Sequence, residues 1–145
     1  MGMKDILYES LKDLETLEEI QEALIDELAK VRKSHDRAGY VAGLISSNGL
    51  EEIPKNLESL LHHTEALRGQ KEFPVFSAPE VYVKNRLDQL IESGYKQNDF
   101  INSWREILKS GHVTDIFMTP GWENSFGASD EHETAKELGI RIHYL

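Results

Sequence analysis

Apolar residues recur every three or four positions along residues 3–33, and this spacing predicts an amphipathic helix. Thr16 and Glu19 have the spacing of a capping box, so the pattern also fits two helices instead of one. We expect the apolar stripe to face the core or a partner, because it carries no recognisable catalytic motif. The stripe consists of Leu7, Leu11, Leu14, Leu17, Ile20, Leu24, Leu28 and Val31.

After residue 38 the pattern changes to short apolar runs separated by helical segments. Four runs predict strands: "AGYVAGLISS", "EFPVFSAP", "HVTDIFMTP" and "IRIHYL". Helices are predicted at "IPKNLESLLHHTEALRG", "EVYVKNRLDQLIESG", "DFINSWREILKSG" and the segment that ends at Gly139. The order β-α-β-α-α-β-α-β predicts an α/β fold, in which helices cover both faces of a parallel sheet.

Ligands of such sheets bind outside the carboxyl ends of the strands. The segments after the first three predicted strands, "SSNG", "SAPE" and "PGWENSFG", are therefore the candidate binding loops. In the third loop, Ser125, Gly127 and Ala128 are small enough for backbone N–H groups to approach an anion at a helix start. Glu131 follows near the first turn, where the helix dipole favours the ionised carboxylate. It is either a helix-capping acid or a nucleophile for glycosyl transfer.

Composition narrows the choice of partners. The 145 residues suit one hydrophobic core, and a net charge of -10 argues against a nucleic-acid partner. Residues 1–30 hold nine acids and three bases, so the remainder is closer to neutral and can accept a small anion. The start of the chain lacks an apolar leader, no run approaches the length of a membrane span, and cysteine is absent. We expect a cytoplasmic protein without a membrane partner.

Several other residues carry two interpretations each. Trp122 either stacks on a ligand base or closes the top of the core. Asp115 precedes an apolar strand, and a structural role in binding nearby loop N–H groups is favoured over catalysis. The adjacent pair His62 and His63 cannot face one metal ion together, and His132 lacks the partner of a zinc motif. We expect neither a metal nor a cofactor.

Three segments together resemble the nucleoside 2-deoxyribosyltransferase-like superfamily, in particular its small, uncharacterised bacterial and phage branch of DUF4406-like proteins. "YVAGLISSNG" resembles the opening strand and turn, and "HTEALRGQKEFPVFSAPEV" resembles the end of the first helix and the second strand. The most specific segment is "TDIFMTPGWENSFGASDEHETAKELGIRI", in which Pro-Gly-Trp precedes Ser, Gly-Ala, Glu and, four positions later, Ala. The resemblance covers roughly Gly39 to Leu145.

The resemblance implies a flavodoxin-like or Rossmann-like fold of about four to five strands that acts on N-glycosidic bonds. It places the nucleophile at Glu131, which would form a covalent glycosyl-enzyme, and a 5′-phosphate contact at Ser125. The turn after the first strand would face the same pocket. The full set of implied substrate-binding residues is Gly43, Ser46, Ser47, Gly121, Trp122, Ser125, Gly127 and Ala128.

The sequence departs from this pattern at two places. Leu44 replaces a proline of the branch's opening turn. Characterised enzymes also carry an acid before the third strand, and here Asp99 and Glu106 both qualify, with Asp99 favoured as the second catalytic residue. Family sites are often completed by a neighbouring subunit, so we expect a homo-oligomer. Residues 1–37 then form a helical extension suited to that assembly, and residues 38–145 form the α/β domain.

Two functions follow from the resemblance. The first is a nucleoside or nucleotide N-glycosidase or 2-deoxyribosyltransferase that works through a glycosyl-Glu131 intermediate. The alternative is a module of the same fold that binds a nucleotide or a nucleotide derivative without reaction. The uncertain acid partner and Leu44 motivate the alternative.

Overall fold

The computed structural model of the chain describes residues 2–145. Helices and strands alternate after two N-terminal helices, as the apolar pattern predicts. Two short 3₁₀ turns, Leu50–Glu52 and Trp122–Asn124, follow the first and third strands. The elements are α1 Met3–Leu11, α2 Leu17–Ser34, β1 Gly39–Ala42, α3 Ile53–Arg68, β2 Val75–Ser77, α4 Ala78–Val81, α5 Arg86–Glu92, α6 Gln97–Lys109, β3 Asp115–Met118, α7 Phe126–Leu138 and β4 Arg141–Tyr144.

The four strands form one parallel sheet in the order β2-β1-β3-β4. The chain leaves β1 toward β2 and then returns past β1 to β3 and β4, so β1 and β3 mark the point where the strand order reverses. This is the flavodoxin-like arrangement, and the predicted α/β fold class is confirmed. The carboxyl ends of all four strands lie at one edge of the sheet, which is where a ligand of this fold binds.

Alternate residues of the central strands face opposite layers of the molecule. Val41, Val75 and Phe117 pack in one apolar cluster with Leu60 and Leu67 of α3. The other face contributes to a larger cluster with α1, α2 and the helices from α4 to α7. Burial on both faces explains why these strands read as continuous apolar runs in the sequence.

The N-terminal segment folds as two helices. Thr16 caps α2: its hydroxyl accepts from the backbone N–H of Glu19 at 3.1 Å, and the Glu19 carboxylate accepts from the N–H of Thr16 at 3.1 Å. The apolar stripe faces inward, since α1 packs on α4 and β2 and α2 packs on α6. A role in assembly stays a prediction, and it would have to use the outer, polar side of these helices.

The predicted helix over residues 80–94 is wrong in one respect, because the chain is interrupted at its centre. Lys84 and Asn85 have φ of 56° and 60°, a left-handed conformation that separates α4 from α5. Pro79 lies in the first turn of α4, where its missing N–H is not needed. The break turns Tyr82 and α5 toward the carboxyl edge of the sheet.

Within residues 2–145, no helix combines the length and the apolar character that crossing a membrane requires.

Candidate functional site

A cavity of about 300 Å³ opens at the carboxyl edge of the sheet. Its floor is formed by β1 and the first turns of α7, and its walls are formed by the loop after β1 and by α5 and α6. The lining is mostly aromatic and aliphatic, with polar groups at few positions. Such a cavity is of the size and character that holds a small organic ligand.

Glu131 is the buried acid of this cavity. It lies in the second turn of α7 and is 5% exposed, and its carboxylate accepts a hydrogen bond from the Tyr40 hydroxyl at 3.3 Å. Burial raises the pKa of Glu131 to about 8; the bond from Tyr40 acts in the opposite direction, and the charge of Asp130 adds to the rise. The sequence pattern predicts an ionised carboxylate favoured by the helix dipole. In the structure, burial is the largest influence on this pKa, so Glu131 is a carboxylic acid at neutral pH.

Ser125 is the N-cap of α7, as its position before the helix suggests. Its hydroxyl accepts from the Ala128 N–H at 3.1 Å, and the Ser47 hydroxyl accepts from the Phe126 N–H at 3.0 Å. The loop after β1 is thereby joined to the start of α7 at the cavity. The Gly127 N–H has no hydrogen-bond acceptor among residues 2–145 and belongs to the first turn of the helix. Ser46, Ser47, Ser125, Gly127 and Ala128 all line the cavity.

Gly43 also lines the cavity, directly after β1, and close packing explains why glycine stands there. A Cβ atom at this position would overlap the Thr119 hydroxyl oxygen and come within 2.9 Å of the Leu60 side chain. Thr119 is held in turn, because its hydroxyl donates to the Ala42 carbonyl at 3.0 Å. The loops after β1 and β3 therefore meet at Gly43 with no room for a side chain.

An aromatic group completes the inner wall of the cavity. Trp104 stacks on Tyr40 with ring centroids 4.5 Å apart, and Tyr82 meets Trp104 edge-on at 6.2 Å. Burial raises the pKa of both tyrosines, Tyr40 strongly, so their hydroxyls stay neutral. Sequence reasoning missed all three residues, because their positions in a predicted strand and in predicted helices are typical of ordinary core residues. The distinguishing signal is their aromatic character at the carboxyl edge of the sheet.

Trp122 and Gly121 lie outside this cavity. The Trp122 ring stacks on His132 at a centroid distance of 4.3 Å and packs near Tyr144 at 6.1 Å, so it closes the far side of α7. The Tyr144 hydroxyl and the His132 Nε2 atom are 2.7 Å apart. Gly121 is exposed with φ of 88°, and it forms the turn before Trp122. The structure thus places Trp122 where a structural role accounts for it.

Asp99 and Glu106 are exposed on α6, and neither lines the cavity. The Asp99 carboxylate accepts from the Lys96 backbone N–H at 2.7 Å, which is the role of a helix-capping acid. In the described part of the chain, residues 2–145, Glu131 is therefore the one carboxylate that lines the cavity, and Lys96 is the one cation. Within residues 2–145, no three carboxylate or imidazole groups converge closely enough to share a metal ion.

Asp115 lies at the opposite edge of the sheet, at the start of β3. It is fully buried, and its carboxylate accepts from Arg37 Nε at 3.1 Å and from the Thr114 hydroxyl at 2.6 Å, and lies 2.7 Å from His143 Nε2. Burial opposes ionisation, but these partners outweigh it and hold the pKa of Asp115 at about 2. This position agrees with the structural role that the sequence favours for Asp115, although the partners of its carboxylate are side chains instead of loop N–H groups.

Comparisons with known proteins give one match. Residues 78–144 are similar to a family described as "Domain of unknown function (DUF4406)". The matched region runs from α4 to β4, so it includes Trp104 and Glu131 but not the β1 side of the cavity. Neither the curated proteins nor the solved structures contain a significant match to the chain. The similarity to DUF4406 is thus found over the C-terminal part of the chain, and the family description states no activity.

Proposed function

We propose that the protein cleaves the N-glycosidic bond of a nucleoside or nucleotide, as a hydrolase or a 2-deoxyribosyltransferase. The observation that carries this proposal is the place of Glu131, a buried carboxyl group in a ligand-sized cavity at the carboxyl edge of the sheet. The resemblance of residues 115–135 to the nucleoside 2-deoxyribosyltransferase-like superfamily supplies the reaction class. A flat base suits the aromatic wall around Trp104.

In the proposed reaction, Glu131 first loses its proton to solvent. One carboxylate oxygen then attacks the anomeric carbon of the sugar, and the carbon–nitrogen bond breaks as the new carbon–oxygen bond forms. The departing base takes the electron pair of that bond and a proton from solvent. Water then attacks the same carbon and loses a proton to solvent, while the bond between that carbon and the Glu131 oxygen breaks. This step releases the sugar and restores the Glu131 carboxylate; in a transferase a second base attacks in place of water.

The Tyr40 hydroxyl assists this role because it donates to the Glu131 carboxylate and favours its ionised form. Ser125 and the Gly127 N–H lie at the start of α7, and Ser47 of the loop after β1 contacts the same helix start. A 5′-phosphate there would meet hydrogen-bond donors and the positive end of the helix dipole. Asp99 lies outside the cavity of its own chain, so its role as the second acid stays a prediction that requires a neighbouring subunit.

The proposal is tested by incubating the protein with a panel of nucleosides and nucleoside 5′-monophosphates and measuring released base. Glu131→Gln should abolish release, whereas Glu133→Gln, a change of the same size at an exposed position of the same helix, should retain it. Release that survives Glu131→Gln would exclude the nucleophile role.

One observation favours a second candidate, a nucleotide-binding module without turnover. Within residues 2–145, Glu131 has no second carboxylate beside it in the cavity, and burial raises its pKa to about 8, so it is neutral at pH 7. A neutral acid binds a ligand as a hydrogen-bond donor. Thermal stabilisation by a nucleotide, undiminished in Glu131→Gln and accompanied by no base release from the parent protein, would favour this function.

A further inference from the structure

Tyr95 belongs both to the cavity wall and to the contact with the N-terminal helices. Its ring lines the cavity, while its hydroxyl accepts from the Leu17 N–H at 3.3 Å and donates to the Glu18 carboxylate at 2.7 Å. Leu17 is the first residue of α2, so its N–H is one of the donors that a helix start leaves unpaired. A residue of the cavity is thus held by two hydrogen bonds to the start of α2.

A third hydrogen bond joins the turn between α1 and α2 to the neighbouring part of the cavity wall. Arg86, the first residue of α5, donates to the backbone carbonyl of Lys12 at 3.0 Å, directly after α1. Leu87 and Ile91 of α5 line the cavity. The turn between α1 and α2 is itself anchored, because Leu11 and Leu17 on either side of it are 1% and 3% exposed.

Apart from the bonds of the Tyr95 hydroxyl, the segment between α5 and α6 makes its hydrogen bonds within residues 2–145 to those two helices alone. Residues 92–94 and 96–99 are exposed, and Gly94 adopts a φ of 113°. Lys96 and Gln97 nevertheless line the cavity, and they flank Tyr95 in sequence. A segment with few buried contacts opens locally at low free-energy cost unless something holds it. The Tyr95 backbone is bonded to the end of α5, since its N–H donates to the Leu90 carbonyl at 3.2 Å. The Tyr95 hydroxyl is the group that joins this segment to the N-terminal helices.

We propose that the α1–α2 hairpin is a positioning element of the ligand cavity, and that Tyr95 transmits its support to Lys96 and Gln97. The hairpin then contributes to ligand binding within a single chain, independently of any role in assembly. Tyr95 is a positioning residue here and takes no part in bond cleavage. The inference rests on the proposed function for the identity of the ligand alone, because the contacts between the hairpin and the cavity wall do not depend on which ligand binds.

The first test uses hydrogen–deuterium exchange of the protein without ligand. Tyr95→Phe keeps the ring and removes both hydrogen bonds, so exchange of residues 93–101 should become about five-fold faster, the effect of losing roughly one hydrogen bond's net stabilisation. Tyr8→Phe is the matched control, because the partly exposed Tyr8 hydroxyl makes no hydrogen bond within residues 2–145. Unchanged exchange in Tyr95→Phe would overturn the proposal, whatever ligand the cavity takes.

A second pair of variants changes the other partner of the same bond. Glu18→Gln weakens the acceptor of the Tyr95 hydroxyl. Glu22→Gln makes the same change one helical turn further along α2, at an exposed position whose side chain forms no hydrogen bond or ion pair within residues 2–145. Faster exchange of residues 93–101 in Glu18→Gln alone supports the proposal. Equal exchange in the two variants would contradict it.

The ligand test uses a nucleoside 5′-monophosphate. Tyr95→Phe should raise its Kd or KM about three- to five-fold and leave kcat unchanged, because Glu131 and Tyr40 lie on α7 and β1 and keep their contacts. If Tyr95 had a merely structural role, Tyr95→Phe would lower the melting temperature but would not change the Kd measured at a temperature where both proteins are folded. That result would overturn the positioning role. If the unmodified protein binds no nucleotide, the proposed function fails, and the exchange measurements alone decide on the hairpin.

Discussion

The hydroxyl of Tyr40 donates a hydrogen bond to Glu131 across 91 positions of sequence, and the two atoms are 3.3 Å apart. The bond joins β1 to α7 at the carboxyl edge of the sheet. It opposes the effect of burial, which raises the pKa of Glu131 to about 8. The balance between these two influences determines the protonation state of Glu131, and therefore the pH at which it can act as a nucleophile.

Removing the Tyr40 hydroxyl should shift that balance. Tyr40→Phe keeps the ring that stacks on Trp104 but loses the bond that favours the ionised carboxylate, so the pKa of Glu131 should rise further. The rising limb of kcat/KM against pH should move to higher pH, with a stability loss of about 1 kcal/mol. Tyr82→Phe is the control, because its hydroxyl makes no hydrogen bond to Glu131 in the described chain. Identical pH profiles in the two variants would contradict the assigned role of Tyr40.

The free energy of unfolding should also depend on pH because of the titration of Glu131. Its pKa is 4.5 as a free side chain and about 8 in the fold, so the folded state binds the extra proton between these values. The free energy of unfolding therefore falls as pH rises from about 4.5 to about 8, with a contribution of up to about 1.4 kcal/mol per pH unit, and is level above that. Glu131→Gln should lack this decline in denaturant unfolding measured at pH 5–9. Parallel pH dependences of variant and parent would show that Glu131 is ionised throughout.

Two glycines of the cavity should respond differently to alanine. Gly43→Ala adds a methyl group against Thr119 and Leu60 and should cost about 1–3 kcal/mol of stability. Gly127→Ala has free space, since the nearest atom to its new Cβ is 4.0 Å away, and should be neutral or stabilising by about 0.5–1 kcal/mol. The Gly127 methyl group should still weaken nucleotide binding if the ligand approaches the helix start. Thermal unfolding and Kd, measured on both variants, separate these effects.

The Asp115 cluster should govern stability in acid but not ligand binding. Arg37→Met removes a charge paired with the buried carboxylate and should cost about twice as much stability as Arg141→Met, whose exposed guanidinium lies 3.8 Å from the same group. Because the pKa of Asp115 is lowered to about 2, its stabilisation is present above pH 3.8 and lost as pH falls toward 2. Arg37→Met should raise that pKa and move acid unfolding to higher pH. A change in the Kd for a nucleotide in Arg37→Met would contradict this expectation, because it would show that the Asp115 cluster is coupled to the cavity at the carboxyl edge of the sheet.

Much of the fold could be predicted because local patterns and tertiary packing agree. The stripe from Leu7 to Val31, with Leu14 half-buried, and the apolar runs around Tyr40 and Ile116 are buried as their spacing indicates. The helix break could not be read from propensity, because Lys84 and Asn85 adopt left-handed φ without glycine. The break places Tyr82, between α4 and α5, and Leu87 of α5 in the lining of the cavity.

The candidate site could be predicted where it depends on topology. Gly43, Ser125 and Glu131 follow strand ends, and the rule that ligands bind at that edge placed them together. Trp104 and Tyr82 could not be identified, because nothing in a helical pattern separates a core aromatic from one that lines a cavity. The ionisation of Glu131 was also beyond the sequence, since its pKa depends on burial that only the assembled fold creates.

The most direct test of the central claim is a search for a covalent adduct on Glu131. A nucleoside 5′-monophosphate with 2-fluoro substitution on the sugar slows breakdown of a glycosyl-enzyme, so the intermediate should accumulate as base is released. Mass spectrometry of the tryptic peptide 110–136 should show the added sugar phosphate, and fragmentation should place it on Glu131 and not on Glu123 or Glu133. Glu131→Gln should give an unmodified peptide. Base release without an adduct, or an adduct on another residue, would contradict the account.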